Sequence, residues 1–119
     1  MDLLEQWEEQ FKKGQLTLWV LLALLDGEKS ADQIIEFIEQ LSERTYTFEK
    51  QSVYRSLRNY QDMELVTFTA ESNNRGPDRK LYQLTAKGKQ LLKEFYPRNL
   101  KVFTSSKFNL LISQLNATD

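Results

Sequence analysis

Residues 47–84 read TFEKQSVYRSLRNYQDMELVTFTAESNNRGPDRKLYQL, and this stretch decides the fold. Its first part is helical, because Val53 and Leu57 fall on one face when successive residues turn by about 100°. Thr47 belongs to the residue types that cap helix N-termini, so this helix is predicted to run from there to about Asp62.

A β-hairpin is predicted directly after this helix. Apolar and polar residues alternate over 66–71, as in a half-buried strand, and residues 80–84 read as the second strand. The segment between them is dense in turn-forming residues. The tip of the hairpin is basic, since it carries Arg75, with Arg79 and Lys80 beside it.

Three further helices are predicted upstream. The first is short and amphipathic around Trp7. The second runs from about Leu16 to Leu25 and is apolar on nearly every side, which is typical of a central, buried helix. Ser30 and Gln33 have the spacing of a capping box, which starts the third helix.

Two helices are predicted downstream of the hairpin. Thr85 is suited to cap the first of them, and Pro97 is expected to end it. Residues 99–116 hold another apolar stripe at helical spacing and are predicted to form the last helix, although residues 102–106 weaken its start.

This order of elements defines the fold class as mainly α with a small β-hairpin. Three helices followed by a hairpin form a winged helix-turn-helix, here with extra N- and C-terminal helices. The helix before the hairpin is the recognition helix, which enters the DNA major groove, and the hairpin is the wing, which lies against adjacent DNA. We expect a winged-helix DNA-binding domain with an N-terminal extension helix at 1–96 and a C-terminal dimerisation helix at 97–119.

The composition argues against an enzyme. The 119 residues include no His and no Cys, which excludes imidazole bases, thiol nucleophiles and disulfides. Nearly every zinc site is excluded as well, since those sites are built from Cys and His. The sequence therefore predicts no catalytic site, no metal and no cofactor.

The net charge of −1 conceals two parts of opposite sign. Residues 1–43 carry a net charge of −7, and residues 44–119 carry +6. The basic part contains both the recognition helix and the wing, so the asymmetry points to a polyanionic partner. Accidental clustering on a solvated surface is the alternative.

No segment of the sequence suggests a membrane. The longest apolar run, Leu18 to Leu25, is far shorter than the ~20 residues that a spanning helix needs. The first residues are acidic, which is the wrong sign for a signal peptide. We expect a cytoplasmic protein with no membrane partner.

Three blocks of sequence carry a resemblance to a known family. They are KGQLTLWVLLALL at 13–25, SVYRSLR at 52–58 and GPDRKLYQLTAKG at 76–88. In this order and separation they resemble the PadR-like winged-helix transcriptional regulators. The resemblance covers about residues 13–96 and implies a transcriptional regulator that forms homodimers through its C-terminal helix.

Candidate DNA-binding residues lie on the polar face of the recognition helix and at the wing. Arg to guanine is the commonest specific base contact, and Lys50 stands in the first helical turn, which suits a phosphate. The alternatives are a solvated helix face with Arg58 paired to Asp62, a Tyr54 that packs on the wing, and a solvated hairpin tip. The candidates are Lys50, Gln51, Ser52, Tyr54, Arg55, Arg58, Arg75, Arg79 and Lys80.

Two apolar stripes have no partner within a minimal winged helix. A two-fold dimer would bury both, and it would place two recognition helices in successive major grooves of a palindromic operator, about 34 Å apart. The aromatic residues Trp7, Phe11 and Trp19 suit either this packing or a cleft that stacks a flat small-molecule effector. The stripe residues are Leu4, Trp7, Phe11, Phe108, Leu111, Ile112 and Leu115.

The functional prediction is a homodimeric, sequence-specific DNA-binding transcriptional regulator that acts as a repressor. The alternative is a winged-helix protein-interaction module without sequence-specific DNA binding, in which the acidic N-terminal third contacts a basic partner. The position of the basic side chains discriminates between the two, because DNA binding needs them on one face.

Overall fold

A computed structural model describes residues 2–72 and 76–116. Within them the chain forms six α-helices, one two-stranded antiparallel hairpin and a short 3-10 helix at Lys101–Thr104. The mainly helical fold with one small hairpin is therefore confirmed. The α-helices and strands are α1 (Leu3–Lys12), α2 (Leu16–Leu25), α3 (Ala31–Leu41), α4 (Lys50–Asp62), β1 (Val66–Glu71), β2 (Arg79–Leu84), α5 (Ala86–Asn99) and α6 (Ser106–Ser113).

The chain divides into two compact units, residues 1–89 and residues 90–119. Helix α2 is the centre of the first unit and contacts α3, α4 and β2. Its apolar composition on all sides is the reason, since such a helix gains by burying every face. The buried core residues of these elements are Val20, Leu21, Ala23, Leu24, Ile34, Ile38, Val53, Leu57 and Tyr82.

The start of α3 is fixed at both ends of its first turn. The Ser30 hydroxyl accepts a hydrogen bond from the Gln33 amide at 3.3 Å, and the Gln33 side chain accepts one from the Ser30 amide at 2.9 Å. This confirms the capping box. One residue earlier, Lys29 exchanges two backbone hydrogen bonds with Tyr82, of 3.1 and 2.8 Å. The N-terminus of α3 is thereby attached to strand β2.

Helix α4 begins later than the sequence pattern predicts. The expected cap, Thr47, lies outside the helix, and the N-cap is Glu49 in an extended conformation. Tyr46 and Phe48 stack with ring centroids 6.2 Å apart. Residues two apart face the same side only in an extended chain, so this contact accompanies the non-helical backbone at 46–49. The predicted end at Asp62 is confirmed.

The hairpin pairs its strands from Val66 opposite Leu84 to Glu71 opposite Arg79. The base of the hairpin is tied to the start of α5. The Thr85 hydroxyl donates to the Glu64 carbonyl at 2.7 Å, and it accepts from the Gly88 amide at 3.0 Å, which confirms Thr85 as a helix cap.

Helix α5 continues past the residue that was expected to end it. Pro97 lies inside the helix, which runs to Asn99. A proline removes its own backbone donor and crowds the carbonyl four residues earlier, and here both effects fall near the end of the helix. Helical hydrogen bonding continues beyond the proline, since the Leu100 amide donates to the Tyr96 carbonyl at 2.9 Å.

The last predicted helix, at 99–116, is divided in two. A 3-10 helix at Lys101–Thr104 precedes α6, and the Ser105 hydroxyl accepts from the Phe108 amide at 3.1 Å. Ser105 therefore starts a new helix and interrupts the continuous one that was predicted. Phe103 and Phe108 pack edge to face across the interruption, with centroids 5.2 Å apart.

Candidate nucleic-acid interface

The orientation of α4 is set by its buried face. Val53 and Leu57 are fully buried in the core of the first unit. Because α4 is held on this side, the opposite side of the helix is turned to solvent. That exposed side carries Gln51, Tyr54, Arg55 and Arg58, while Ser52 is half-buried.

A groove of about 620 Å³ lies between α4 and the wing, and we call it the α4–wing groove. It brings together five of the predicted DNA-binding residues from two separate elements. Arg55, Ser52 and Lys50 do not line it. The five residues are Gln51, Tyr54 and Arg58 from α4, with Arg79 and Lys80 from β2.

The exposed arginines of α4 have no carboxylate partner in the part of the chain that the structure describes. Neither Arg55 nor Arg58 forms an ion pair within residues 2–72 and 76–116. The alternative in which Asp62 neutralises Arg58 is therefore not found. Both guanidinium groups keep their donors available for a partner.

The basic side chains of the wing are oriented by the hairpin itself. Arg79 donates to Glu71, its partner across the ladder, at 3.2 Å. The Lys80 ammonium lies 4.6 Å from the centre of the Phe68 ring. A cation above an aromatic face is stabilised there, so the Lys80 side chain has a preferred direction. Arg75 lies outside the described residues.

Lys50 is engaged with α3. Its ammonium lies 2.9 Å from the Asp32 carboxylate, and both side chains are largely exposed. The hydrogen bond to Asp32 raises the pKa of Lys50 above its ordinary value. The same ammonium lies 5.8 Å from the centre of the Tyr54 ring. The predicted phosphate ligand is therefore paired with an acid in this structure.

Tyr82 forms part of the wall of the α4–wing groove. Tyr82 is 5% exposed. Burial raises the pKa of its hydroxyl, the interaction with Tyr54 raises this pKa further, and the positive charge of Arg58 lowers it. Tyr54 and Arg58 of α4 line the same groove as Tyr82 of β2.

The two predicted dimer stripes are exposed in the single chain. Trp7 is 71% exposed, and Leu4 and Phe11 beside it are exposed as well. No residue of α1 is buried. In the second unit Leu111, Ile112 and Leu115 are exposed, and Phe108 is half-buried.

The sequence did not indicate three polar residues of the groove. Asp32, Gln61 and Asp78 also line it. Gln61 shares a helix face with Tyr54 and Arg58, so helical spacing alone places it there. No spacing pattern in the sequence places Asp32 and Asp78 there, because they belong to α3 and to the wing and not to α4.

Among the described residues no group of His, Cys, Asp or Glu is arranged to hold a metal ion. The same residues include no helix that is long and apolar enough to cross a membrane.

The fold and the exposed polar helix beside a hairpin define a winged-helix protein. Residues 20–94 match the model of the transcriptional regulator PadR-like family. The chain belongs to this family, which confirms the resemblance noted above. The members of this family are transcription regulators, so the prediction that the chain is not an enzyme is confirmed too.

Solved structures share the fold. PadR from Bacillus subtilis, solved in complex with operator DNA, is 24% identical with a TM-score of 0.63, covering 70% of this chain and 47% of that one. This chain thus spans about half the length of that relative. A PadR family regulator from Eggerthella lenta is 17% identical with a TM-score of 0.72, covering 99% and 96%.

A PadR-like transcription factor from Bacteroides fragilis is 24% identical with a TM-score of 0.63, covering 93% of this chain and 96% of that one. No curated protein matches this sequence.

Proposed function

We propose that this chain is a sequence-specific DNA-binding regulator that acts as a homodimer and represses transcription. One observation carries the proposal. The α4–wing groove joins Arg58 of the recognition helix to Arg79 and Lys80 of the wing. Basic side chains on the two elements that contact DNA in winged-helix proteins suit a nucleic-acid duplex.

The roles differ along the interface. Arg55 and Arg58 are suited to base edges in the major groove, where arginine donates two hydrogen bonds to guanine. Gln51 and Ser52 near the start of α4 are suited to a base or a phosphate. Tyr54, Lys50 and the wing residues Arg75, Arg79 and Lys80 are suited to the phosphate backbone, which fixes the position of the protein.

The structural likeness supports DNA as the partner. The B. subtilis relative was solved in complex with operator DNA, and its fold is shared over 70% of this chain. For this chain the same class of partner is proposed, with the sequence of the operator left to experiment.

Homodimerisation is proposed from the exposed stripes. In the proposed dimer, residues 97–119 are the dimerisation segment, and the winged-helix domain extends over residues 1–96. Apolar surface on two helices is stabilised when a second copy covers it. Two α4 helices then face half-sites of a palindrome about one DNA turn apart. The covered residues are Leu4, Trp7, Phe11, Phe108, Leu111, Ile112 and Leu115.

Regulation is proposed to occur in the cytoplasm and through binding. The sequence holds no thiol and no imidazole, so a signal cannot act through cysteine oxidation or histidine protonation. A small molecule stacked between aromatic residues of the dimer, such as Trp7 and Phe11, is one candidate effector. A partner protein is the other.

The deciding experiment has two parts. Selection of bound duplexes from a random pool should return a palindrome with half-sites about one turn apart. Anisotropy titration of that duplex at several salt concentrations should then show affinity that falls steeply with salt, because bound phosphates release counterions. Binding that ignores salt, or no enrichment of any sequence, would contradict the proposal.

A protein-interaction module is the alternative, and the −7 charge of residues 1–43 favours it. Under this alternative the random pool yields no enriched sequence, and a basic protein partner binds the acidic third of the chain. Substituting Arg58 and Arg79 would then leave partner binding unchanged.

A further inference from the structure

We propose that Asp32 is a specificity-determining residue. Its ion pair with Lys50 keeps this lysine from contacting the phosphates of duplex DNA of any sequence. The proposal rests on the DNA-binding function proposed above and adds a residue to it. Its starting point is a contact between two elements, the ion pair of 2.9 Å between Asp32 on α3 and Lys50 at the start of α4.

The position of Asp32 is fixed by the fold. It stands in the first turn of α3, directly after the Ser30 capping box and the backbone bridge from Lys29 to Tyr82. These interactions hold the main chain of residues 29–33. The Asp32 carboxylate is therefore delivered to the edge of the α4–wing groove by a rigid support.

The ion pair is exposed, so it is not a buried structural contact. The side chain of Asp32 is 70% exposed and that of Lys50 is 53% exposed. Asp32 also lines the α4–wing groove, together with a second acid, Asp78, and the basic residues Arg58, Arg79 and Lys80. An acid at this edge places negative charge beside the surface that phosphates would approach.

Two consequences follow for a duplex. A phosphate that binds Lys50 must either displace Asp32 or lie next to its carboxylate, and each reduces the gain from the contact. This cost applies to every sequence. At a sequence that places a cytosine beside Asp32, the lost binding free energy is regained, because a carboxylate accepts a hydrogen bond from the cytosine amino group.

The size of the effect is limited by solvent. Exposed ion pairs are weak and are screened by salt. We therefore expect a change of about threefold to tenfold in non-specific affinity at low salt, together with a change in the salt dependence of about 0.9, the value for one phosphate contact.

The test compares five proteins on a labelled duplex pool of random sequence, titrated by anisotropy from about 50 to 300 mM KCl. They are the wild type, D32N, K50A, the D32N/K50A double variant and D26N. The last is a matched control, since Asp26 also pairs with a lysine and is exposed, but it lines a different surface with Lys29 and Phe37.

Three results are expected. D32N binds more tightly than the wild type by about threefold to tenfold, with a steeper salt dependence, while D26N stays within about twofold. K50A lowers affinity by less than D32N raises it, because the lysine that it removes is already paired with Asp32. The gain from D32N is smaller in the K50A background, because the part of the gain that comes from freeing Lys50 is lost.

Other results overturn the proposal. If D32N behaves as D26N does, or if its gain is equally large without Lys50, Asp32 does not keep that lysine from the phosphates. K50A provides a second test that needs no change at the α3 N-terminus, and a loss in K50A at least as large as the gain in D32N contradicts the proposal on its own. If the wild-type protein binds no duplex, the proposed function is contradicted as well. If the wild type binds and D32N binds with the same affinity, only this inference is contradicted.

Discussion

The main chain of Gly88 lies directly against the carbonyl oxygen of Leu65, with no room for a β-carbon between them. The Leu84 side chain closes the same space, since a β-carbon at residue 88 would stand 2.7 Å from its Cδ1 atom. The Leu65 carbonyl also accepts a hydrogen bond from the Thr85 amide at 3.1 Å. This close packing joins the start of α5 to the base of the wing.

Gly88→Ala is therefore expected to lower the free energy of unfolding by about 1–3 kcal/mol, the usual cost of overpacking. Alanine is the better helix former, so helix propensity alone predicts the opposite sign. Urea denaturation of both proteins measures the difference. The control is Lys87→Ala, which changes an exposed residue of the same turn and should stay within about 0.5 kcal/mol of the wild type. A Gly88→Ala protein at least as stable as the wild type would contradict the packing.

The arginines of the interface should separate into two classes. Replacing Arg55 or Arg58 with Ala is expected to cost about 1–3 kcal/mol on the selected duplex and to relax base preference at one position. Arg79→Ala is expected to weaken binding to all sequences equally and to reduce the salt dependence by about 1. Anisotropy titrations on the selected and the random duplexes give both quantities. Equal losses on both duplexes for Arg58→Ala would place that side chain on the backbone.

A charge on either apolar stripe should dissociate the proposed dimer. Trp7→Asp and Ile112→Asp each place a carboxylate where the partner copy would have to bury it, which is strongly unfavourable. Sedimentation velocity should report half the wild-type mass for both variants. Leu41→Asp, at an exposed leucine outside both stripes, is the control and should keep the wild-type mass. A wild type that sediments as a monomer would end this part of the proposal.

Tyr82 should make the fold sensitive to alkaline pH. Its pKa is raised in the folded protein, mainly by burial. The unfolded chain therefore loses this proton at a lower pH, near the ordinary value of about 10, and the free energy of unfolding falls as pH rises through that value to the folded pKa. Tyr82→Phe removes this contribution.

The measurement is urea denaturation of the wild type and Tyr82→Phe from about pH 8 to pH 11. The difference between them should be constant below about pH 9, and the wild type should lose more stability above about pH 10. Curves that stay parallel over the whole range would show that Tyr82 does not contribute.

The parts of the fold that could be predicted from the sequence depend on local chemistry. The bounds of α2 follow from a nearly continuous apolar composition between Gly14 and Gly27, and the start of α3 follows from the Ser30 and Gln33 side chains, which need only each other. The hairpin follows from its alternation and its turn residues. Each of these signals lies within a few residues of the structure that it specifies.

The parts that could not be predicted depend on contacts between distant residues. The start of α4 is displaced from Thr47 to Glu49 where Phe48 stacks on Tyr46. The polar face of α4 was predicted from its period. The pairing of Lys50 with Asp32 was not, because only the packing of α3 on α4 brings together residues that are 18 positions apart.

The backbone bridge between Lys29 and Tyr82 has a mechanical consequence. It fastens β2 to the segment that begins α3, while α3 and α4 share one core, so a change in the spacing of the wing and α4 has to break these two hydrogen bonds or move α3 as well. We therefore expect a duplex in the proposed complex to adapt its groove width to the protein. DNA sequences that bend easily, and whose grooves narrow easily, are then favoured even at base pairs that no side chain contacts. The operator is therefore expected to contain flexible base steps.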